Sequence, residues 1–79
     1  MNWQDYIEQR PDVMLGKPVI KGTRITVELI LERLGDGWSA SELLEAYPDL
    51  CPEHLQAAQS YAAAYLSMDE SVFVDQGAR

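Results

Sequence analysis

The chain has 79 residues, 47% of them apolar, with a formal net charge of −7 and a pI near 4.4. This length builds one small core and excludes a second domain or a deep enclosed active site, while the apolar fraction argues for folding over disorder. The single cysteine, Cys51, excludes an intramolecular disulfide and a cysteine-rich zinc site, and acidity this strong disfavours non-specific binding to nucleic-acid phosphates.

Chains this short often need a staple, and dimerisation or docking onto a partner is the expected substitute. A lone thiol suits a reducing cytosol, and the residues after Met1 lack the charged-then-apolar pattern of a signal peptide. The longest purely apolar run, residues 61–66, is too short for a bilayer. These features predict a cytoplasmic protein with no membrane partner.

In chain order, Asn2 predicts the cap of a short amphipathic helix with Trp3, Tyr6 and Ile7 on one side, ended by Pro11 and Asp12. Next comes Gly16-Lys17-Pro18-Val19-Ile20-Lys21-Gly22-Thr23-Arg24-Ile25-Thr26-Val27, where apolar pairs flank a Lys-Gly-Thr turn. It predicts a β-hairpin in which Gly22 supplies the positive φ of a bulged three-residue turn, and Pro18 fits only an edge or a first strand position. No acid lies between Val13 and Val27, so Lys17, Lys21 and Arg24 give this span +3, and the rest of the chain carries −10 to reach −7. The hairpin is a basic island on an acidic body.

From Thr26, a sound N-cap, the period changes to 3.6: Val27, Ile30, Leu31 and Leu34 stand on one face, and Gly35 or Gly37 is the stop. Ser39-Ala40-Ser41-Glu42 is a capping box, with Trp38 as a staple to Leu43, and Ala40, Leu43, Leu44 and Tyr47 form the expected buried stripe. Pro48 and Asp49 break the chain. A third helix starts with Pro52 at its first position, Cys51 as a weak cap and Leu50 stapled to Leu55. It runs to about Leu66, with Leu55, Ala58, Ala62, Tyr65 and Leu66 expected on its buried face and Tyr61 beside them.

The predicted organisation is one helical domain over residues 1–66 and a tail over 67–79. The apolar, acid-flanked Val72, Phe73 and Val74 in that tail suit partner docking. The predicted fold class is mainly α, a bundle of three to four helices with a helix-turn-helix arrangement and an N-terminal β-hairpin. Residues 39–66 have the helix-turn-helix outline of a short helix, a turn and a longer helix.

Taken together, Pro11-Asp12, Gly16-Lys17-Pro18, Gly22-Thr23-Arg24-Ile25, Val27, Gly37-Trp38-Ser39, the Leu44 and Tyr47-Pro48 pair, and Leu55, Ala58, Tyr61 and Ala62 resemble domain of unknown function family 433. The motif G-x-P-x-I-x-G-T-R-I-x-V has fixed spacing over a dozen positions, and the likeness covers about residues 3–66. The resemblance implies a homeodomain-like helical domain and an antitoxin of a type II toxin-antitoxin pair, partnered by a PIN-like nuclease as toxin. Cys51 departs from the pattern, which commonly has threonine before the last helix.

Lys17, Lys21 and Arg24 are the candidate contacts to phosphates or to an acidic partner, with a structural alternative for Arg24: a fork onto Glu28 or Glu32 that locks hairpin to helix. Gln56 and Gln59 are the base-reading candidates on the third helix, beside Glu53, His54 and Ser60, and none of these residues neutralises phosphate. His54 reads as a surface histidine, and Trp3, Trp38, Tyr47, Tyr61 and Tyr65 as core and dimer contacts. Ser39, Ser41, Ser60 and Cys51 have no nucleophile–base arrangement at recognisable spacing, so neither catalysis, a cofactor nor a metal is expected. The leading functional reading is an antitoxin-like binding protein that also represses its own operon through operator DNA, as a homodimer or hetero-oligomer. The alternatives are a transcriptional regulator without a toxin and a dimeric scaffold.

Overall fold

The computed structural model describes residues 1–68; the expected docking segment at Val72, Phe73 and Val74 lies outside the described residues. In chain order the elements are a 3-10 turn (Trp3–Asp5), β1 (Ile7–Glu8), a tight turn (Met14–Gly16), β2 (Val19–Ile20), α1 (Val27–Gly35), α2 (Ala40–Ala46) and α3 (Pro52–Ser67). The mainly helical class holds, with three α-helices and a short antiparallel sheet. No helix among the described residues is long and apolar enough to cross a membrane.

The expected first helix is replaced by one 3-10 turn and a strand. Its spacing of Trp3, Tyr6 and Ile7 fits a helical turn, yet Asn2 makes no side-chain cap bond to the backbone, and its amide donates to Asp5 Oδ1 at 3.5 Å. So short a helix closes few backbone bonds and is marginal alone. Pairing β1 with β2 is the stronger alternative: Ile7 stands opposite Ile20 and Glu8 opposite Val19, which buries both isoleucines.

The predicted hairpin forms on the other edge of β2. Ile20 N–H donates to the Ile25 carbonyl at 2.9 Å and Val27 N–H to the Pro18 carbonyl at 3.0 Å, with Val19 bridged to Thr26. Pro18, placed just before β2, contributes only a carbonyl, which is all proline can offer a ladder. The connection is built on a four-residue turn rather than the expected bulge. Thr23 N–H donates to the Ile20 carbonyl at 3.0 Å, and Gly22 takes φ +78°, the positive value a type II turn demands at its third residue. Thr23 Oγ1 then donates to the Ile20 carbonyl at 2.8 Å and accepts from Ile25 N–H at 3.0 Å, so one hydroxyl ties both strands of the hairpin.

Local signals set the helix ends. Thr26 Oγ1 accepts from Leu29 N–H at 3.0 Å to start α1. Gly37, at φ +96°, stops it: Gly37 N–H donates to the Leu34 carbonyl and Trp38 N–H to the Arg33 carbonyl, both at 3.0 Å, which is a Schellman motif. At α2 the capping box is complete, with Ser39 N–H on Glu42 Oε1 at 2.7 Å and Glu42 N–H on Ser39 Oγ at 3.1 Å. Leu43 is buried, and Leu44 and Tyr47 pack against the core, whereas Ala40 at the first helical position faces solvent.

The core gathers Ile7, Ile20, Val27, Ile30, Leu43, Leu50, Leu55, Ala57 and Ala58, with Trp3, Trp38, Tyr47 and Tyr61 among the half-buried side chains around it. α3 packs against both α1 and the N-terminal 3-10 turn, so two alanines are buried and not only the expected Ala58. Trp3 meets Tyr61 edge-on, with ring centroids 4.9 Å apart. The last turn of α3 corrects the predicted buried face: Tyr65 and Leu66 are 66% and 51% exposed, because that turn extends past the core residues.

Thr23→Val keeps the side-chain shape and removes two hydrogen bonds, so it should lower stability by about 1–2 kcal/mol, while Thr23→Ser should stay within roughly 0.5 kcal/mol of the wild type. Urea denaturation monitored by circular dichroism measures both.

Candidate protein-binding site

An open groove of about 530 Å³ runs between α1 and α3, floored by Val27, Leu31, Tyr61 and Ala62 and bounded by Pro18, Tyr65 and Leu66. The helix sequences account for it. Ala57 and Ala58 let α3 approach the core closely, while Ala62, one turn further, is too small to fill the space beside Leu31. Tyr61 and Tyr65 lie nearly parallel along the α3 wall, 6.3 Å between centroids. Glu28 and Glu32 supply charge on the α1 side, so the groove is apolar within and acidic at its edge.

The candidate cations have different placements. Lys17 Nζ lies 2.9 Å from Glu28 Oε1, and this exposed pair links hairpin to α1. The link expected of Arg24 is therefore made by Lys17. Arg24 forms no ion pair among the described residues and stands exposed beside Pro11, Asp12, Met14 and Leu15. Lys21 is exposed at the turn. Arg33 lies with its guanidinium 5.4 Å from the Trp38 ring centroid, a cation–π contact with its Nε buried. Gln56 and Gln59 are exposed and share a shallow depression with Met1, Ser60 and Ala63, none of which has a cationic side chain.

Two features escaped the sequence reading. The first is the turn Met14–Gly16, where three successive residues have positive φ: 48°, 57° and 81°. For Met14 and Leu15 this left-handed backbone costs roughly 1–2 kcal/mol each. Gly16 N–H to the Val13 carbonyl, Lys17 N–H to the Met14 carbonyl and Gln9 Nε2 to the Gly16 carbonyl hold it, at 3.0, 3.1 and 3.1 Å. Leu15 is left 94% exposed. The second is His54. It is half-buried, edge-on to Tyr6, and its Nδ1 accepts from Cys51 N–H at 3.1 Å, replacing the usual carboxylate of a capping box. The expected surface histidine is thus part of the start of α3.

The sequence profile of the family described as "Protein of unknown function (DUF433)" matches residues 7–62. The chain belongs to the DUF433 family. A crystal structure of a DUF433 member protein from Anabaena variabilis ATCC 29413 superposes on this DUF433 protein with a TM-score of 0.75 and 31% identity, over 90% of this chain and 70% of that one. The chain is also 34% identical over 61 residues to "Uncharacterized protein y4eO" of Sinorhizobium fredii, covering 77% of this DUF433 chain but 28% of that relative's length.

Cys51 is a poor side-chain acceptor at a cap, so Cys51→Ser should raise the stability of this DUF433 protein by about 0.5–1 kcal/mol, and His54→Ala should lower it by about 1 kcal/mol. Thermal unfolding of the two variants against the wild type checks the sign of each.

Proposed function

We propose that this DUF433 protein is an antitoxin-like binding protein of a type II toxin-antitoxin pair that neutralises a PIN-like nuclease by docking it on the α1–α3 groove. The observation that carries this reading is the groove itself, where Tyr65 and Leu66 stand exposed next to Glu28 and Glu32. Apolar surface kept in water favours a partner that covers it. The charge supports the same class of partner. PIN-like nucleases hold RNA on basic surface, and a protein of net charge −7 is steered towards such a surface, which makes association fast and salt-sensitive.

Repression of its own operon is a second role in the same reading. α2, a connection of residues 47–51 and α3 follow one another as in a helix-turn-helix, with Gln56 and Gln59 exposed on the longer helix. Lys17, Lys21 and Arg24 would supply the phosphate contacts, but Lys17 is already engaged by Glu28. The groove therefore weighs more than the cations, and protein binding comes first.

The adjacent gene and isothermal calorimetry with its product test the reading: a small PIN-like reading frame beside this gene is expected, and its absence contradicts the nuclease as partner. Tyr65→Asp should weaken binding at least 10-fold, about 1.4 kcal/mol, whereas Gln56→Ala with Gln59→Ala should leave it unchanged. An unchanged affinity for Tyr65→Asp contradicts the docking site. No binding by the wild type, together with retardation of its own promoter that Lys17→Glu with Lys21→Glu abolishes, moves the function to the regulator.

A further inference from the structure

We infer that the protein forms a two-fold dimer in which Leu15 of each copy inserts into the α1–α3 groove of the other. Exposure of a single leucine is ordinary on a protein surface. Leu15 differs in being held outward by a left-handed turn that three hydrogen bonds secure, with Met14 37% exposed beside it. Such turns persist only where their surroundings over-determine them, and they cluster at sites of recognition.

Charge selects the occupant of the groove. Around the turn stand Lys17, Arg24 and Asp12, the last paired with Arg10 at 3.6 Å, so its surface is basic on balance, and on the groove edge stand Glu28 and Glu32. Lys17 and Glu28 already neutralise each other within one chain. Arg24 and Glu32 form no ion pair among the described residues, and they carry opposite charge on the two surfaces. A second copy satisfies both: Leu15 enters an apolar socket and Arg24 meets Glu32 of the partner subunit. Groove-on-groove packing would instead set acidic edges against each other.

The positions of knob and socket suit closure. Leu15 lies three residues before Pro18, which bounds the groove, so the two are at most about 11 Å apart along the chain. Adjacent complementary surfaces make two equal contacts about a two-fold axis and close the assembly as a dimer. This inference uses the groove but does not depend on the nuclease reading. Where both hold, a second copy and the nuclease compete for one surface.

Sedimentation equilibrium of the full chain in moderate salt tests it. The wild type should be dimeric at ~100 μM, and Leu15→Asp or Tyr65→Asp alone should weaken the dimer at least 10-fold. An equimolar mixture of these two variants should dimerise more tightly than either alone, because it retains one intact Leu15–groove contact. That recovery also excludes misfolding of either variant. Arg24→Glu and Glu32→Arg should each weaken the dimer, and the two combined in one chain should restore it. A monomeric wild type overturns the inference, as does a dimer that tolerates Leu15→Asp or a mixture without recovery. A dimer lost on deletion of residues 69–79 but unaffected by Leu15→Asp makes the tail the occupant and overturns it too. Leu15→Asp should still bind the nuclease at least as well as the wild type, so the two readings fail separately.

Discussion

The grip on β2 from both edges is the constraint on which the rest of the structure depends. On one edge Lys21 N–H donates to the Tyr6 carbonyl at 2.9 Å. On the other, Ile20 donates to Ile25 and Pro18 accepts from Val27. Val19 and Ile20 are completely buried as a result. The same bonds fix where α1 begins, since Val27 is both the last hairpin donor and the first helical residue. Through Pro18 and the Lys17–Glu28 pair they also set one boundary of the groove and hold the Met14–Gly16 turn beside it.

A domain of this size has little stability to lose, on the order of 5–15 kcal/mol at most, so local bonds count heavily. Thr26, the Ser39–Glu42 box, the Cys51–His54 bond and the Schellman turn at Gly37 each contribute on the order of 1 kcal/mol. Together, at about 4 kcal/mol, they are a large fraction of that margin. They fix helix ends and thereby direct α1 and α3 so that Ala57 and Ala58 meet the core while Ala62, Tyr65 and Leu66 are left to the groove. Burial and exposure along α3 are two results of one placement.

Much of this was readable in the sequence because it is local. The Gly22-Thr23 turn, the Thr26 cap, the capping box at Ser39 and Pro52 at the first position of α3 all encode their bonds within four residues. What was not readable depends on distant residues. Trp3, Tyr6 and Ile7 have helical spacing, but Ile20 recruits Ile7 into a strand. Met14 and Leu15 carry no preference for positive φ, so their turn is imposed by its flanks. Tyr65 and Leu66 continue a buried stripe in sequence after the core residues that α3 packs on have ended, and His54 replaces a carboxylate that a capping-box pattern would require. In the groove, apolar spacing was legible as core, and only tertiary packing separates the covered part from the open one.

The hairpin holds groove and turn at a fixed spacing, so it must be part of the cooperative core. Native-state hydrogen exchange resolved by residue measures this directly. The amides of Ile20, Lys21 and Val27 are predicted to exchange only through global unfolding, with the same free energy as those of Ile30 and Ala58. Exchange of these three amides through a lower-energy local opening, with α1 and α3 still protected, would contradict the account.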